Sequence, residues 1–132
     1  DVFNVALRNI KGGHFRAMSG PDKILGISAG RVWEAVAAER AGADYIGVGA
    51  VFDTSTKKIT RAMGVEELRS ISRSVSIPVV AIGGINAGNI LQLSGSGVDG
   101  VAVVSAIFGA EDPGRATSEL RKLSAQMVAA HG

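Results

Sequence analysis

The sequence contains no cysteine, few aromatic residues and no long apolar run. Without cysteine its 132 residues cannot form a disulfide framework, a thiol nucleophile or a cysteine metal site. Its apolar stretches are far shorter than the roughly 18 residues that cross a bilayer, so no membrane partner is expected. Its 14 basic and 12 acidic residues nearly balance and are scattered, so no nucleic-acid partner is expected. Together with the lack of a signal-peptide pattern, these features predict a cytoplasmic protein.

Apolar residues and glycine are abundant instead. Apolar residues make up 46% of the chain and charged residues 20%, which is typical of a folded domain. The length predicts a single domain over residues 1–132. The 18 glycines cluster where apolar runs meet the segments that follow or precede them.

Apolar runs and helix-length segments alternate along the chain. The runs are rich in Val, Ile and Ala and cover residues 2–7, 24–28, 45–52, 79–82 and 101–107. Near-continuous apolar runs are typical of strands that are buried on both faces of a parallel sheet. Helices are expected over residues 31–41, 65–74, 87–94 and 113–130. The alternation predicts an α/β fold with a parallel sheet.

Two architectures are built from such βα units. An open doubly wound sheet accommodates five strands in about this length. A TIM (β/α)₈ barrel needs eight strands and about 200 residues or more. The strand count favours the open sheet, whereas the residues at the strand ends favour the barrel.

Gly83 and Gly84 follow one strand, and Ser105 closes the last one. Paired glycines let backbone N–H groups approach an anion, and barrels often bind phosphate between the loops of their last two strands. Each feature also has a simpler interpretation: a tight turn for the glycines and a helix N-cap for the serine. Together the two strand ends predict a phosphate site between the loops 83–86 and 105–108.

A polar loop over residues 53–58 follows the third run. Its hydroxyl and ammonium groups could hold a polyphosphate, although a plain surface loop has the same composition. The residues concerned are Thr54, Ser55, Thr56 and Lys57.

The other candidate residues carry weaker signals. Ser28 lies at the tip of the second strand and means little alone. His14 and His131 follow no strand, so both are expected to be solvated bystanders. Trp33 and Phe15 are expected in the core.

Four segments in order resemble the thiamin phosphate synthase family. They are residues 42–52, 54–57, 78–85 and 101–107, and the resemblance runs from about residue 21 to residue 116. It implies a (β/α)₈ barrel and a transferase of thiamin biosynthesis. Such an enzyme joins hydroxymethylpyrimidine diphosphate to thiazole phosphate and releases pyrophosphate with the help of Mg²⁺.

The resemblance also implies roles for individual residues. Ser28 and Lys57 match positions that hold the diphosphate of the pyrimidine substrate. The thiazole phosphate is held at positions that match Thr54, Ser55, Thr56, Gly84, Val104 and Ser105.

The first residues depart from the family. Its metal-binding pattern His-x-Gly-Gln-x-Asp falls on residues 4–9, where Asn4 replaces the His and Asn9 replaces the Asp. An Asn side chain offers a carbonyl oxygen without charge, which makes Asn9 a poor Mg²⁺ ligand. About three N-terminal βα units of the barrel are also absent, so a partial barrel is expected, with a rearranged open sheet as the alternative.

Two hypotheses of function follow. The first is a transferase, inactive alone, that binds small phosphates and acts when the missing N-terminal part is supplied. The second is a non-catalytic phosphate-binding paralogue, or a truncated or engineered barrel fragment. In either case the open strand edges of a partial barrel predict self-association.

Overall fold

The sheet sets the architecture of this computed structural model, which describes residues 2–6, 20–52 and 64–131. Five parallel strands lie in chain order, each paired with the next. A doubly wound sheet reverses its strand order at a switch point, and the described sheet has no such reversal. Its order is the one that consecutive barrel strands have. The strands are β1 (Val2–Ala6), β2 (Ile24–Ala29), β3 (Tyr45–Val48), β4 (Val79–Ile82) and β5 (Gly100–Ala102).

Helical segments connect the strands and end the chain. The last helix begins with Pro113, whose fixed φ suits a first turn, and Asp112 caps it by accepting a hydrogen bond from the Arg115 N–H at 3.0 Å. No helix of the described residues is long and apolar enough to cross a membrane. The helices are α1 (Val32–Arg40), α2 (Val65–Ser74), a 3₁₀ helix (Ile90–Leu93), α3 (Ser105–Phe108) and α4 (Pro113–Ala129).

Two strands are shorter than their apolar runs. The run over residues 45–52 leaves the sheet after Val48, and the run over 101–107 leaves it after Ala102. The segment expected as a helix over 87–94 forms only the 3₁₀ helix. These predicted boundaries were wrong because an apolar run does not distinguish a strand from a packed loop: Val51 is outside the strand yet buried.

One face of the sheet is buried beneath the helices. Successive side chains of a strand point to opposite faces, so every second residue contributes to this face. Its residues are fully or almost fully buried and pack with Ala35 and Ala38 of α1 and Leu68 and Ile71 of α2. The face consists of Leu25, Ile27, Ala29, Ile46, Val48, Val79 and Ala81.

The opposite face, here called the open face, is not covered by any helix among the described residues. Its residues are mostly small, and Ile24 is 49% exposed. The ring of Tyr45 lies over Gly26, where a Cβ atom would collide with it. The expectation of burial on both faces therefore fails at Ile24 and Ser28, which are exposed, whereas Gly26 and Gly47 on the same face are buried. The open face consists of Ile24, Gly26, Ser28, Tyr45, Gly47, Val80, Ile82, Gly100 and Ala102.

Two aspartates fasten pairs of strands at their amino ends. The Leu25 N–H donates to Oδ2 of Asp44 at 2.7 Å, and the Asp44 N–H donates back to the Leu25 carbonyl at 2.7 Å. Asp99 forms the same pair of bonds with Val79, both at 2.8 Å. We call this arrangement the carboxylate clasp. It joins β2 to β3 and β4 to β5.

His131 connects the end of the chain to the turn before β5. Its Nδ1 accepts hydrogen bonds from the N–H groups of Gly95 at 2.9 Å and Gly97 at 3.4 Å. Its Nε2 lies 2.8 Å from the carbonyl oxygen of Val98, to which it donates if Nδ1 is the acceptor. The expectation that His131 is a solvated bystander is therefore wrong.

The tryptophan also differs from its expected position. Trp33 is 65% exposed on α1, so its assignment to the core is wrong. Its exposed ring lies beside Val36, Ala37 and Arg40 on the same helix. Phe15 and His14 lie outside the described residues.

Replacing His131 should destabilise the fold. In His131→Ala the N–H of Gly95 and the carbonyl of Val98 lose a partner, and unpaired backbone groups of this kind cost about 1–3 kcal/mol. Urea unfolding checks the free energy, and amide exchange checks whether Gly95 and Gly97 lose protection. Gln126→Ala, an exposed change on α4 shortly before His131, is the control. Equal stability of the two variants would contradict this account.

Candidate functional site

The carboxyl ends of β4 and β5 lie side by side. Ile82 stands opposite Ala102 in the parallel pairing. Gly84 lies two residues beyond the first strand, and Val104 lies two residues beyond the second. The two loops that were predicted to hold phosphate therefore leave the sheet at the same level.

The loop after β4 requires glycine at two positions. Gly83 and Gly84 have φ values of 104° and 66°, which L side chains rarely adopt. A Cβ atom on Gly84 would lie 2.7 Å from the carbonyl oxygen of Phe52. The N–H groups of Val51 and Phe52 donate to the carbonyls of Ile82 and Gly83, both at 3.0 Å. The loops that follow β3 and β4 are thus packed backbone to backbone.

Two asparagines fix the conformation beyond the glycines. Nδ2 of Asn89 donates to the Gly84 carbonyl at 2.8 Å, and its Oδ1 accepts from the Asn86 N–H at 2.8 Å. Oδ1 of Asn86 accepts from the Gly88 N–H at 2.8 Å. Asn89 was not among the residues predicted to form the site. Its signal was the Asn-x-x-Asn spacing, because asparagine side chains commonly bond to backbone within a turn.

Ser105 is the first residue of α3. The carbonyl of Val104 accepts from the N–H groups of Ile107 at 3.2 Å and Phe108 at 2.9 Å. Val104 occupies the N-cap position and is 73% exposed. Ser105 was predicted at the carboxyl end of the last strand, with the N-cap of a helix as the alternative. Both positions are wrong: β5 ends at Ala102, three residues earlier, and the N-cap is Val104, one residue earlier. The Ser105 side chain is exposed beside the loop end.

A cavity of about 280 Å³ separates the loop after β4 from α3 and α4. Asn86 and Gly88 from the loop after β4 and Ala106 from α3 line this one cavity. The two segments are therefore neighbours. Glu119 is the charged residue among the side chains that line the cavity. The cavity is lined by Asn86, Ala87, Gly88, Ala106, Ala116, Glu119 and Leu120.

Ser28 lies on the open face near the end of β2. It pairs with Gly47 of β3 and is exposed. The structure therefore places its hydroxyl on the same face as Ile82 and Ala102, but on a strand separated from them by β3. The other predicted site residues, Thr54, Ser55, Thr56, Lys57 and Asn9, lie outside the described residues.

The described part of the site offers hydroxyl groups and loop backbone. Within residues 20–52 and 64–131 no group of three or more His, Asp or Glu residues could hold a metal ion. Hydroxyl and backbone N–H groups donate hydrogen bonds, which suits them to an anion.

A second cavity runs along the free edge of β5. It has a volume of about 660 Å³ and a mostly apolar wall that includes Val101, Val103, Ile107 and Val128. Asp99 and Arg121 are the charged residues of its lining. We call it the edge groove.

A family model and curated relatives agree on one family. The thiamine monophosphate synthase family model matches residues 5–107. Thiamine-phosphate synthase from Pyrococcus abyssi is 52% identical over 108 residues, which cover 82% of this chain and 52% of that protein. The corresponding protein from Ruminiclostridium cellulolyticum is 52% identical over 112 residues, covering 85% of this chain and 53% of that protein.

Solved structures extend the comparison to the fold. The thiamine phosphate pyrophosphorylase from Pyrococcus furiosus superposes with a TM-score of 0.82 and 43% identity, covering 95% of this chain and 59% of that one. A 3-hexulose-6-phosphate synthase shares the fold alone, with a TM-score of 0.68 and 21% identity over 93% of this chain and 61% of its own.

The chain spans about half the length of the curated relatives it matches. Within that span, the family model and the sequence identities agree with the resemblance of the four segments. The chain belongs to the thiamine monophosphate synthase family.

Proposed function

We propose that this chain supplies five consecutive βα units of a thiamine-phosphate synthase barrel and the phosphate-binding half of its active site. The observation that carries the proposal is the pairing of β4 with β5, which aligns the loops containing Gly84 and Ser105. The sequential strand order supports the partial barrel, and residues 1–132 act as one cytoplasmic domain.

The loops after β4 and β5 bind the phosphate of the thiazole substrate. Gly84, Val104 and Ser105 supply backbone groups and a hydroxyl at the common edge of the sheet. Two features support this role: the φ of 66° at Gly84 forms a tight turn that L side chains rarely adopt, and Asn89 fixes the Gly84 carbonyl. Family resemblance adds Thr54, Ser55 and Thr56 from the neighbouring loop.

Ser28 and Lys57 bind the diphosphate of the pyrimidine substrate in this proposal. The reaction breaks the bond between the pyrimidine methylene carbon and the pyrophosphate oxygen, and it forms a bond from that carbon to the thiazole nitrogen. The main task of the protein is to stabilise the negative charge of the departing pyrophosphate. A lysine ammonium and a serine hydroxyl suit that task, and no protein nucleophile is required.

Among the described residues, no group of three or more His, Cys, Asp or Glu residues could hold the Mg²⁺ that the family implies. Ser28 contributes only a neutral oxygen. Asn9 lies outside the described residues and supplies no carboxylate. We therefore assign no step of the proposed reaction to a metal held by this chain.

A non-catalytic phosphate-binding protein is the second candidate function. Asn9 favours it, because an aspartate at this position would be the charged ligand of the family pattern. In that case Gly84 and Ser105 still bind phosphate, while the transfer reaction does not occur.

Self-association is part of the proposal. The edge groove and the open face both carry apolar side chains that nothing in the described part of the chain covers. Unpaired strand edges and uncovered apolar surface favour association with further polypeptide. That polypeptide is either another copy of this chain or the N-terminal units of a complete barrel.

The phosphate site is tested by a pair of glycine variants. Gly84→Ala forces an L side chain to a φ of 66° and towards the Phe52 carbonyl, so inorganic phosphate binding should be lost. Gly64→Ala, whose Cβ would meet nothing within 4 Å, should bind phosphate like the unchanged protein. Calorimetry measures affinity, and amide chemical shifts of Gly84 and Ser105 locate the site. Shifts confined to other residues would contradict the proposal.

The two functions are separated by reconstitution. The chain is mixed with the part of the Pyrococcus abyssi enzyme that it does not match, and pyrophosphate release is measured with both substrates in magnesium buffer. We expect release with Asn9→Asp and little release with the unchanged chain, because only the aspartate supplies the negative charge. Asn4→Asp, with the same change of charge nearby, is the control.

Each result of the reconstitution selects one function. Release by the unchanged chain that exceeds release by the Pyrococcus abyssi part alone, and that Asn9→Asp raises further while Asn4→Asp does not, supports the transferase. A phosphate-binding chain that releases no pyrophosphate in its unchanged form supports the non-catalytic protein, and activity gained only in Asn9→Asp assigns the loss to position 9.

Self-association is tested through the open face. Ile24→Lys places a charge on an uncovered apolar face and should shift the chain from dimer or larger species towards monomer. Val32→Lys changes a residue of similar exposure on α1, 40% against 49%, and should leave association unchanged. Sedimentation velocity at micromolar concentration measures both. A compact monomer for the unchanged protein would refute self-association.

A further inference from the structure

The pairing of β4 with β5 is short. It joins three residue pairs, and β5 consists of Gly100, Val101 and Ala102. Side chains that fit only one alignment normally fix the register of a strand, and small residues do so weakly. Side-chain packing within the ladder therefore fixes the level of β5 against β4 only weakly.

A shift of two residues is the displacement that packing resists least. A one-residue shift would turn Val101 from the helix side to the open face, with a loss of burial. A two-residue shift keeps every side chain on its face and moves β5 by about 6–7 Å along β4. It would carry Ser105 away from the level of Gly84 by that distance.

The clasp of Asp99 opposes this displacement. Its carboxylate accepts from the Val79 N–H and its own N–H donates to the Val79 carbonyl, so both bonds hold only in one register. They lie immediately before the first residue pair of the ladder, Val80 with Gly100.

We propose that Asp99 is a positioning residue for the phosphate site: it fixes the register of β5 against β4 and thereby the separation of the Ser105 and Gly84 loops. The inference rests on the proposed function for the role of these loops. Asp99 lies at the amino end of β5, whereas the phosphate loops lie at the carboxyl ends of the strands, so Asp99 touches no substrate.

Asp44 provides a matched control within the same sheet. It forms the same clasp with Leu25, but between β2 and β3. β3 is held to β4 independently by its ladder and by the bonds from Val51 and Phe52. Loss of the Asp44 clasp therefore leaves the two phosphate loops in place relative to each other.

The experiment compares Asp99→Ala, Asp99→Asn and Asp44→Ala. Inorganic phosphate is the probe, read by amide shifts of Gly84 and Ser105, and NOEs between β4 and β5 report the register directly. We expect both alanine variants to unfold at similarly lowered urea concentrations. Only Asp99→Ala should bind phosphate more weakly, by about tenfold. Asp99→Asn should restore affinity, because its amide oxygen still accepts from Val79.

The register measurement keeps this inference separate from the proposed function. If the unchanged protein binds no phosphate at these loops, the proposed site fails, and the NOEs alone decide the role of Asp99. Native NOEs that persist in Asp99→Ala overturn the inference, as does equal weakening of phosphate binding by Asp44→Ala. If Asp99→Ala does not fold, Asp99→Ser, with a shorter acceptor, takes its place in the comparison.

Discussion

Burial of one sheet face beneath the helices is the constraint on which the other features depend. Leu25, Ile46 and Ala81 are fully buried against α1 and α2, and their burial fixes which way each strand faces. The alternate residues then face the open side, and the strands end at a common edge. The Gly84 and Ser105 loops leave the sheet side by side there because the sheet is parallel and β4 pairs with β5.

Polar contacts determine the register of the strands, which burial of apolar side chains alone does not fix. Burial of apolar side chains determines which face of the sheet each residue occupies, but a shift of the strand by two residues leaves that face unchanged. A carboxylate that is hydrogen-bonded to the neighbouring strand allows only one register. Asp44 and Asp99 act at the amino ends of the strands, and Asn89 acts at the carboxyl end. His131 adds a bond between the end of the chain and the turn before β5.

The sequence predicted the fold class, the five strands and the two neighbouring loops, because apolar runs and paired glycines are local signals. It did not predict where β3 and β5 end, since Val51 and Val103 are as apolar in a packed loop as in a strand. The partners of His131 and Asp99 were also missed. Both bonds join residues that are 20 or more positions apart in the sequence, and no local sequence pattern predicts such a contact.

The chain-order pairing of the strands has a consequence for how this protein folds. Neighbouring strands pair across separations of only about 20 residues, as for Val2 with Ile24 and Val80 with Gly100, and of 33 residues for Ile46 with Val79. Each pairing closes a loop of one βα unit, so the loop entropy lost at each step is that of one short segment and grows only slowly with its length. Each βα unit can therefore add to the previous one as the chain leaves the ribosome.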